Sequence, residues 1–149
     1  MPTLLRARAT AAGLLAVAGL AVAVAPAAPV SYVDERANVR LAEAGFPCAY
    51  GLVVTHWHRP GSQQRTISWI YATRSPARAH NLARWWYQTP GGPARAGGTW
   101  HGGKTVQTWT QITWGPGGHG RLGPDLPEGS RICTEFNYDA TARPCITLT

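Results

Sequence analysis

The residues best suited to bind a ligand lie in segment 104–114, whose threonines, aromatic residues and alternating pattern predict a β-strand. Successive side chains of a strand face opposite sides, so Trp109 would share a face with Gln107 and Gln111. An indole ring beside amides is typical of a sugar site, because the ring stacks on apolar C–H groups while the amides hydrogen-bond the hydroxyls. The sequence therefore predicts ligand binding by Trp109, Gln107 and Gln111, with Trp100 of the preceding glycine-rich loop as a second platform. Burial of Trp109 under a loop or helix is the competing interpretation.

The chain also holds the residue types of an acid–base enzyme. His56 or His58 with Glu135 and an arginine such as Arg131 would supply the base, acid and cation that phosphodiester cleavage requires. Nothing in their spacing selects these residues, so the catalytic residues stay unknown and a non-enzyme is favoured. The two histidines would share one face of a strand, but no third ligand follows at a useful spacing. The sequence therefore predicts neither a metal site nor a cofactor.

Three cysteines, Cys48, Cys133 and Cys145, leave one thiol without a partner if a single bridge forms. Ile132 and Phe136 share one parity of a predicted strand, so Cys133 would project from its other side. Ile146 and Leu148 likewise share one parity of segment 144–148, so Cys145 would project from the other side of that strand. If the two strands are antiparallel neighbours, the two cysteines come within bridging distance. We therefore expect a Cys133–Cys145 disulfide and an unpaired Cys48.

The first 27 residues resemble a secretory signal peptide. Arg6 and Arg8 precede an apolar run rich in alanine, and small residues stand at the expected positions before a cleavage site after Ala27. The run is too short and too weakly hydrophobic for a membrane anchor, which needs about 18 or more apolar residues. The sequence therefore predicts a single small secreted domain over residues 28–149, with no transmembrane segment once the signal peptide is removed.

The net charge of this domain suggests which class of partner it binds outside the cell. Cleavage removes two of 14 basic residues and none of seven acidic ones, so 12 − 7 leaves a net charge of +5. A basic exported protein favours polyanions, which suggests an extracellular polysaccharide or an anionic wall polymer as partner. Simple solubility explains the same charge, and the sequence contains no sequence-specific nucleic-acid motif. Abundant alanine, glycine, proline and arginine are typical of small exported proteins from bacteria with GC-rich genomes.

Periodicity and capping residues predict an α+β fold: a small, mainly antiparallel sheet with one or two short helices packed on a face. Helices are expected over residues 31–45 and 76–88, with a strand at 82–88 as the alternative for the second. Strands are expected over 50–58, 66–72, 104–114, 131–138 and 144–148. If the second helix fails, the fold becomes a small all-β sandwich.

These observations favour a small secreted, tryptophan-rich and basic binding domain without catalytic activity, associated with a cell wall or a glycan. A small secreted hydrolase such as a ribonuclease is the first alternative. A secreted toxin or protease inhibitor is the second, suggested by the proline-rich segment 123–127. Neither the ligand nor the oligomeric state follows from the sequence.

Overall fold

The computed structural model describes residues 29–43, 46–138 and 142–149, with side chains described outside 40–49. The predicted signal peptide lies outside the described residues. Within them the chain forms strands and no helix, and all strand pairs are antiparallel. The α+β prediction is therefore wrong, and the alternative of an all-β fold fits.

The strands form two sheets. The six-stranded sheet contains β1 (Val33–Glu43), β2 (Phe46–His58), β3 (Gln64–Arg74), β7 (Lys104–Val106), β8 (Trp109–Trp114) and β9 (Asp125–Pro127). Its order is β1-β2-β3-β8-β7, with β9 paired to the start of β3. The five-stranded sheet contains β4 (Leu82–Gln88), β5 (Ala94–Ala96), β6 (His101–Gly102), β10 (Arg131–Phe136) and β11 (Cys145–Thr147). Its order is β11-β10-β4-β5, with β6 paired to the start of β4.

The hydrophobic core lies between the two sheets. Leu52 and Ile70 from the six-stranded sheet pack with Trp85, Ile132 and Ile146 from the five-stranded sheet. A second cluster joins the sheets in the same way, and its members are Tyr50, Ala72, Ala83, Ile112 and Phe136. Each sheet therefore buries one face and leaves the other face toward solvent, as in a sandwich.

The helix expected over residues 31–45 is instead the edge strand β1, although residues 44–45 lie outside the described residues. It pairs along nearly its whole length with β2, from Val33 opposite His58 to Glu43 opposite Phe46. Residues 33–41 alternate between apolar and polar types at most positions, a period of two that the helical spacing of Val33, Ala37 and Leu41 concealed. Long pairing with β2 outweighs the local capping signal at Ser31, because tertiary context routinely overrides helix propensity.

The helix expected over residues 76–88 is also wrong. Ser75 and Pro76 lie in a bend, and the chain resumes as β4 over Leu82–Gln88, the strand that was the alternative. The period of two puts Ala83 and Trp85 inside and Arg84 outside. Helical spacing assigns Trp86 to the core and Trp85 to its margin, whereas Trp85 is 1% exposed and Trp86 is half-buried.

The disulfide prediction is confirmed. Cys133 and Cys145 are directly opposite each other in the β10–β11 pair, and they are bonded, with Cα atoms 4.1 Å apart. Ile132 and Phe136 are fully buried on the other side of β10, as the parity argument requires. The Cys48 side chain lies outside the described residues, but neither bonded cysteine is available to it.

Segment 104–114 forms two strands joined by a tight hairpin rather than one strand. β7 and β8 pair with Val106 opposite Trp109, so only Gln107 and Thr108 form the turn. Gln107 has a φ of 53°, which is the positive φ that the first turn position of a type II′ hairpin requires. The turn removes Gln107 from the face that carries Trp109.

Candidate functional site

The outer face of the six-stranded sheet carries a hollow that we call the groove. Gly51, Thr73 and Gln111 stand opposite one another on β2, β3 and β8, so they share this face. Gly51 contributes no side chain to the row, and a Cβ atom there would lie 2.5 Å from Thr73 Oγ1. The resulting hollow has a volume of about 320 Å³, which falls in the range of small-ligand sites.

Aromatic rings and amides line the groove. Trp109 and Tyr71 contribute half-buried rings, and Gln111 and Asn38 contribute amides. Trp69 stacks on Tyr71, with ring centroids 5.4 Å apart and an interplanar angle of 17°, which extends the aromatic surface beyond the hollow. No carboxylate, imidazole, guanidinium or amine is among the described residues that line it. The described lining side chains are therefore equipped to stack and to hydrogen-bond.

The structure brings together two of the four predicted ligand-binding residues. Trp109 and Gln111 line the groove, two positions apart on β8. Gln107 is exposed in the β7–β8 turn. Trp100 is 42% exposed and stacks on Arg84, a residue of the five-stranded sheet. Trp100 is thus a separate aromatic surface and is not a second platform for the groove.

A β-bulge explains why the sequence did not reveal Tyr71 as a groove residue. Alternation predicts that Ile67, Trp69 and Tyr71 share one face of the strand. In the structure Thr55 is opposite Trp69 and the next residue of β2, His56, is opposite Ile67, so β3 has one extra residue here. The bulge turns Ile67 into the core and leaves Trp69 and Tyr71 on the outer face.

A second polar cluster surrounds Glu35 on the inner side of β1. Its carboxylate lies 3.3 Å from His56 Nδ1, 3.7 Å from His58 Nε2 and 3.9 Å from Arg65 Nε. Burial lowers the pKa of His56 below its ordinary value, Glu35 opposes that shift, and Arg65 and His58 add to it. His56 is 1% exposed and the Arg65 side chain 6%, so a substrate has little access to either group.

The acid–base group suggested by the sequence is not assembled. Glu135 pairs with Arg84 and Arg143 on the five-stranded sheet, and Arg131 lies on that sheet too. Both histidines lie beside Glu35 instead. Glu35 belongs to the segment that the sequence predicted to be a helix. In the part of the chain that the structure describes, no three His, Cys, Asp or Glu side chains are arranged to hold a metal ion.

Comparison of the chain with protein-family models, with curated proteins and with solved structures found no match. Among the described residues, no helix has the length and apolar character needed to span a membrane. The case for a function therefore depends on the side chains of the two sheets.

Proposed function

We propose that this protein is an exported carbohydrate-binding domain without catalytic activity, and that its groove holds a neutral segment of a polysaccharide. The observation that carries the proposal is the grouping of Trp109 and Tyr71 with two amides around the space left by Gly51. A sugar ring presents apolar C–H groups on its faces and hydroxyls at its edge. The aromatic rings match the faces, and the amides of Gln111 and Asn38 match the edge.

The rings of Trp109 and Tyr71 and the amide of Gln111 are uncharged, which supports a neutral segment at the centre of the groove. Lys104 and Arg40 are opposite Gln111 and Gly51, so basic residues stand at the two ends of this row. Stacking and neutral hydrogen bonds are little affected by salt, whereas attraction between exposed charges is largely screened at high ionic strength. Binding through the groove should therefore persist in concentrated salt. Export from the cell stays a prediction from the sequence, and the disulfide is in keeping with an oxidising compartment.

Two observations argue against a ribonuclease and against a protease inhibitor. In the one cluster of described residues that joins a carboxylate to two histidines and an arginine, the His56 and His58 side chains are 1% and 12% exposed, so RNA has little access to either imidazole. The proline-rich segment 123–127 does not project as an inhibitory loop would, because Leu126 is 2% exposed and Asp125–Pro127 pairs with β3 as β9.

Retention on insoluble polysaccharide tests the proposal. Purified protein would be incubated with chitin, with cellulose and with peptidoglycan in 1 M salt, conditions in which the Debye length is about 3 Å. We expect retention by at least one polymer and a loss of about 1–3 kcal/mol of binding free energy in Trp109→Ala, as for a central aromatic anchor. Tyr138→Ala is the matched control, since it removes an exposed aromatic ring that is not among the described lining residues of the groove. Equal retention of both variants would contradict the proposal.

A further inference from the structure

The outer face of the five-stranded sheet carries a second hollow, of about 310 Å³, that we call the arginine hollow. Arg84, Arg95 and Arg143 line it, and Glu135 is the one carboxylate among its described lining residues. Three guanidinium groups against one carboxylate leave a local excess of two positive charges. None of the described residues that line the groove also lines this hollow, so the two sites can be tested separately. The choice of a polysaccharide as the carrier of the charge rests on the function proposed above.

Glu135 fixes two of the guanidinium groups. It is directly opposite Arg84 in the β4–β10 pair, and its side chain is 5% exposed. Arg84 donates to Oε1 of Glu135, and Arg143 Nε lies 3.0 Å from Oε2. Each carboxylate oxygen thus has an arginine of its own. Hydrogen-bonded arginine–carboxylate pairs are oriented as well as held together, so the two guanidinium groups are set before any ligand arrives.

The same guanidinium groups keep donors free on their solvent side. The Arg84 and Arg143 side chains are 46% and 51% exposed, and an arginine carries five N–H donors. The Arg84 guanidinium also stacks over the Trp100 ring, 4.8 Å from its centroid, which restrains it further. Arg95 is exposed and has no carboxylate partner among the described residues. An anion in the hollow would therefore meet free N–H donors of three guanidinium groups.

We propose that the arginine hollow binds an anionic substituent of a polysaccharide, a carboxylate or a phosphodiester. Guanidinium groups match both of these oxyanions, frequently through two parallel hydrogen bonds. The half-buried Trp86 ring in the hollow provides apolar surface for the sugar that carries the charge. Single-stranded RNA would require successive aromatic platforms for its bases, whereas one face of the Trp100 ring is already covered by Arg84.

Binding of labelled oligomers tests the proposal. Fluorescence polarisation would compare a hexamer of galacturonate, its neutral methyl ester, a hexamer of glycerol phosphate and a 12-nucleotide RNA. We expect one of the two anionic hexamers to bind, which assigns carboxylate or phosphodiester as the source of the charge. If galacturonate is the hexamer that binds, its affinity should exceed that of its methyl ester at least about tenfold, because charge-assisted hydrogen bonds are lost in the ester. Failure of both hexamers, or tighter binding of RNA, would overturn the proposal.

Three charge-removing variants locate the site. Arg95→Gln and Arg143→Gln should each weaken binding at least about tenfold. Arg95 makes no ion pair within the described chain, so its variant should fold normally. Arg59→Gln is the matched control, because it removes one exposed positive charge from the β2–β3 turn of the other sheet. Equal weakening by Arg95→Gln and Arg59→Gln would show attraction to net charge alone and would contradict a site in the hollow.

Discussion

The outer faces of the two sheets carry hollows of nearly equal volume, about 320 Å³ on the six-stranded sheet and 310 Å³ on the five-stranded sheet. The first is lined by aromatic rings, amides and a glycine. The second is lined by three arginines around a buried glutamate. The volume therefore does not distinguish the ligands of the two hollows, whereas the lining side chains do. The groove suits neutral hydroxyl-rich surface, and the arginine hollow suits an oxyanion.

The two faces also differ in how their chemistry is held in place. In the groove, the tyrosine ring is positioned by packing against Trp69. In the arginine hollow, a buried carboxylate orients the guanidinium groups through hydrogen bonds. Binding in the groove should consequently tolerate salt, whereas binding in the arginine hollow should weaken as ionic strength rises.

The largest expected effect distinguishes a core tryptophan from a groove tryptophan. Trp85→Ala should lower the free energy of unfolding by about 3–5 kcal/mol, because this ring is 1% exposed between the sheets. Trp109→Ala should lower it by no more than about 1 kcal/mol, since its ring is half-buried on the outer face. Urea unfolding of both variants measures the difference. Equal losses would place Trp109 in the core and remove the groove from consideration.

The disulfide should stabilise the sheet that carries the arginine hollow. Cys133 and Cys145 close a short loop, with a sequence separation of 12. Replacing both by serine should lower the free energy of unfolding by about 3 kcal/mol on the chain-entropy model. Urea unfolding under oxidising conditions checks the value. In native buffer, retention on neutral polysaccharide should be unchanged, because the groove lies on the other sheet; a parallel loss of retention would show that the two faces are not independent.

A smaller effect concerns pH and the Glu35 cluster. Burial lowers the folded-state pKa of His56, so below its ordinary pKa of about 6.5 the unfolded chain binds a proton that the folded chain does not. Stability should therefore fall as the pH drops from 6.5 toward the folded-state pKa, by at most about 1.4 kcal/mol per pH unit. Thermal unfolding from pH 7.5 to 5 measures this slope.

Two histidine variants test whether His56 causes this pH dependence of stability. His56→Gln should flatten the pH dependence, because the replacement does not titrate. His101→Gln replaces an exposed imidazole of β6 on the other sheet and is the matched control for the substitution itself. A slope that survives in His56→Gln would assign the effect to other groups.

Local patterns in the sequence predict the strands that alternate clearly and the turns with strong residue preferences. The β2–β3 hairpin, the β10–β11 pair and the Cys133–Cys145 bridge all follow from such patterns. The outward position of Trp109 follows as well, because β8 keeps its alternation from Trp109 to Trp114. These features depend on residues that are close together in the chain, and hydrophobic periodicity describes only such local relations.

The remaining features depend on partners that are distant in sequence. Helix-capping residues precede both β1 and β4 in the sequence, whereas pairing with β2 and β10 decides the conformation of these strands. The bulge in β3 shows only in the register with β2, so parity alone misplaces Tyr71. In the sequence, Gly51 is only a glycine within a strand. Its importance becomes visible in the structure, where it stands in one row with Thr73 and Gln111 and leaves a hollow. Assembly of a site across three strands requires that register, and the sequence alone does not provide it.

Filling the groove is the most direct test of the claim that the groove binds a sugar. Gly51→Val adds a side chain that suits a strand and occupies the hollow, with rotation of Thr73 making room. Thr55→Val places the same side chain on the same face of β2, outside the groove. Isothermal titration with cellohexaose and chitohexaose should show binding of at least one sugar, weakened at least about tenfold by Gly51→Val and unchanged by Thr55→Val. A folded Gly51→Val variant that binds as tightly as the unaltered protein, or no binding of either sugar, would contradict the account.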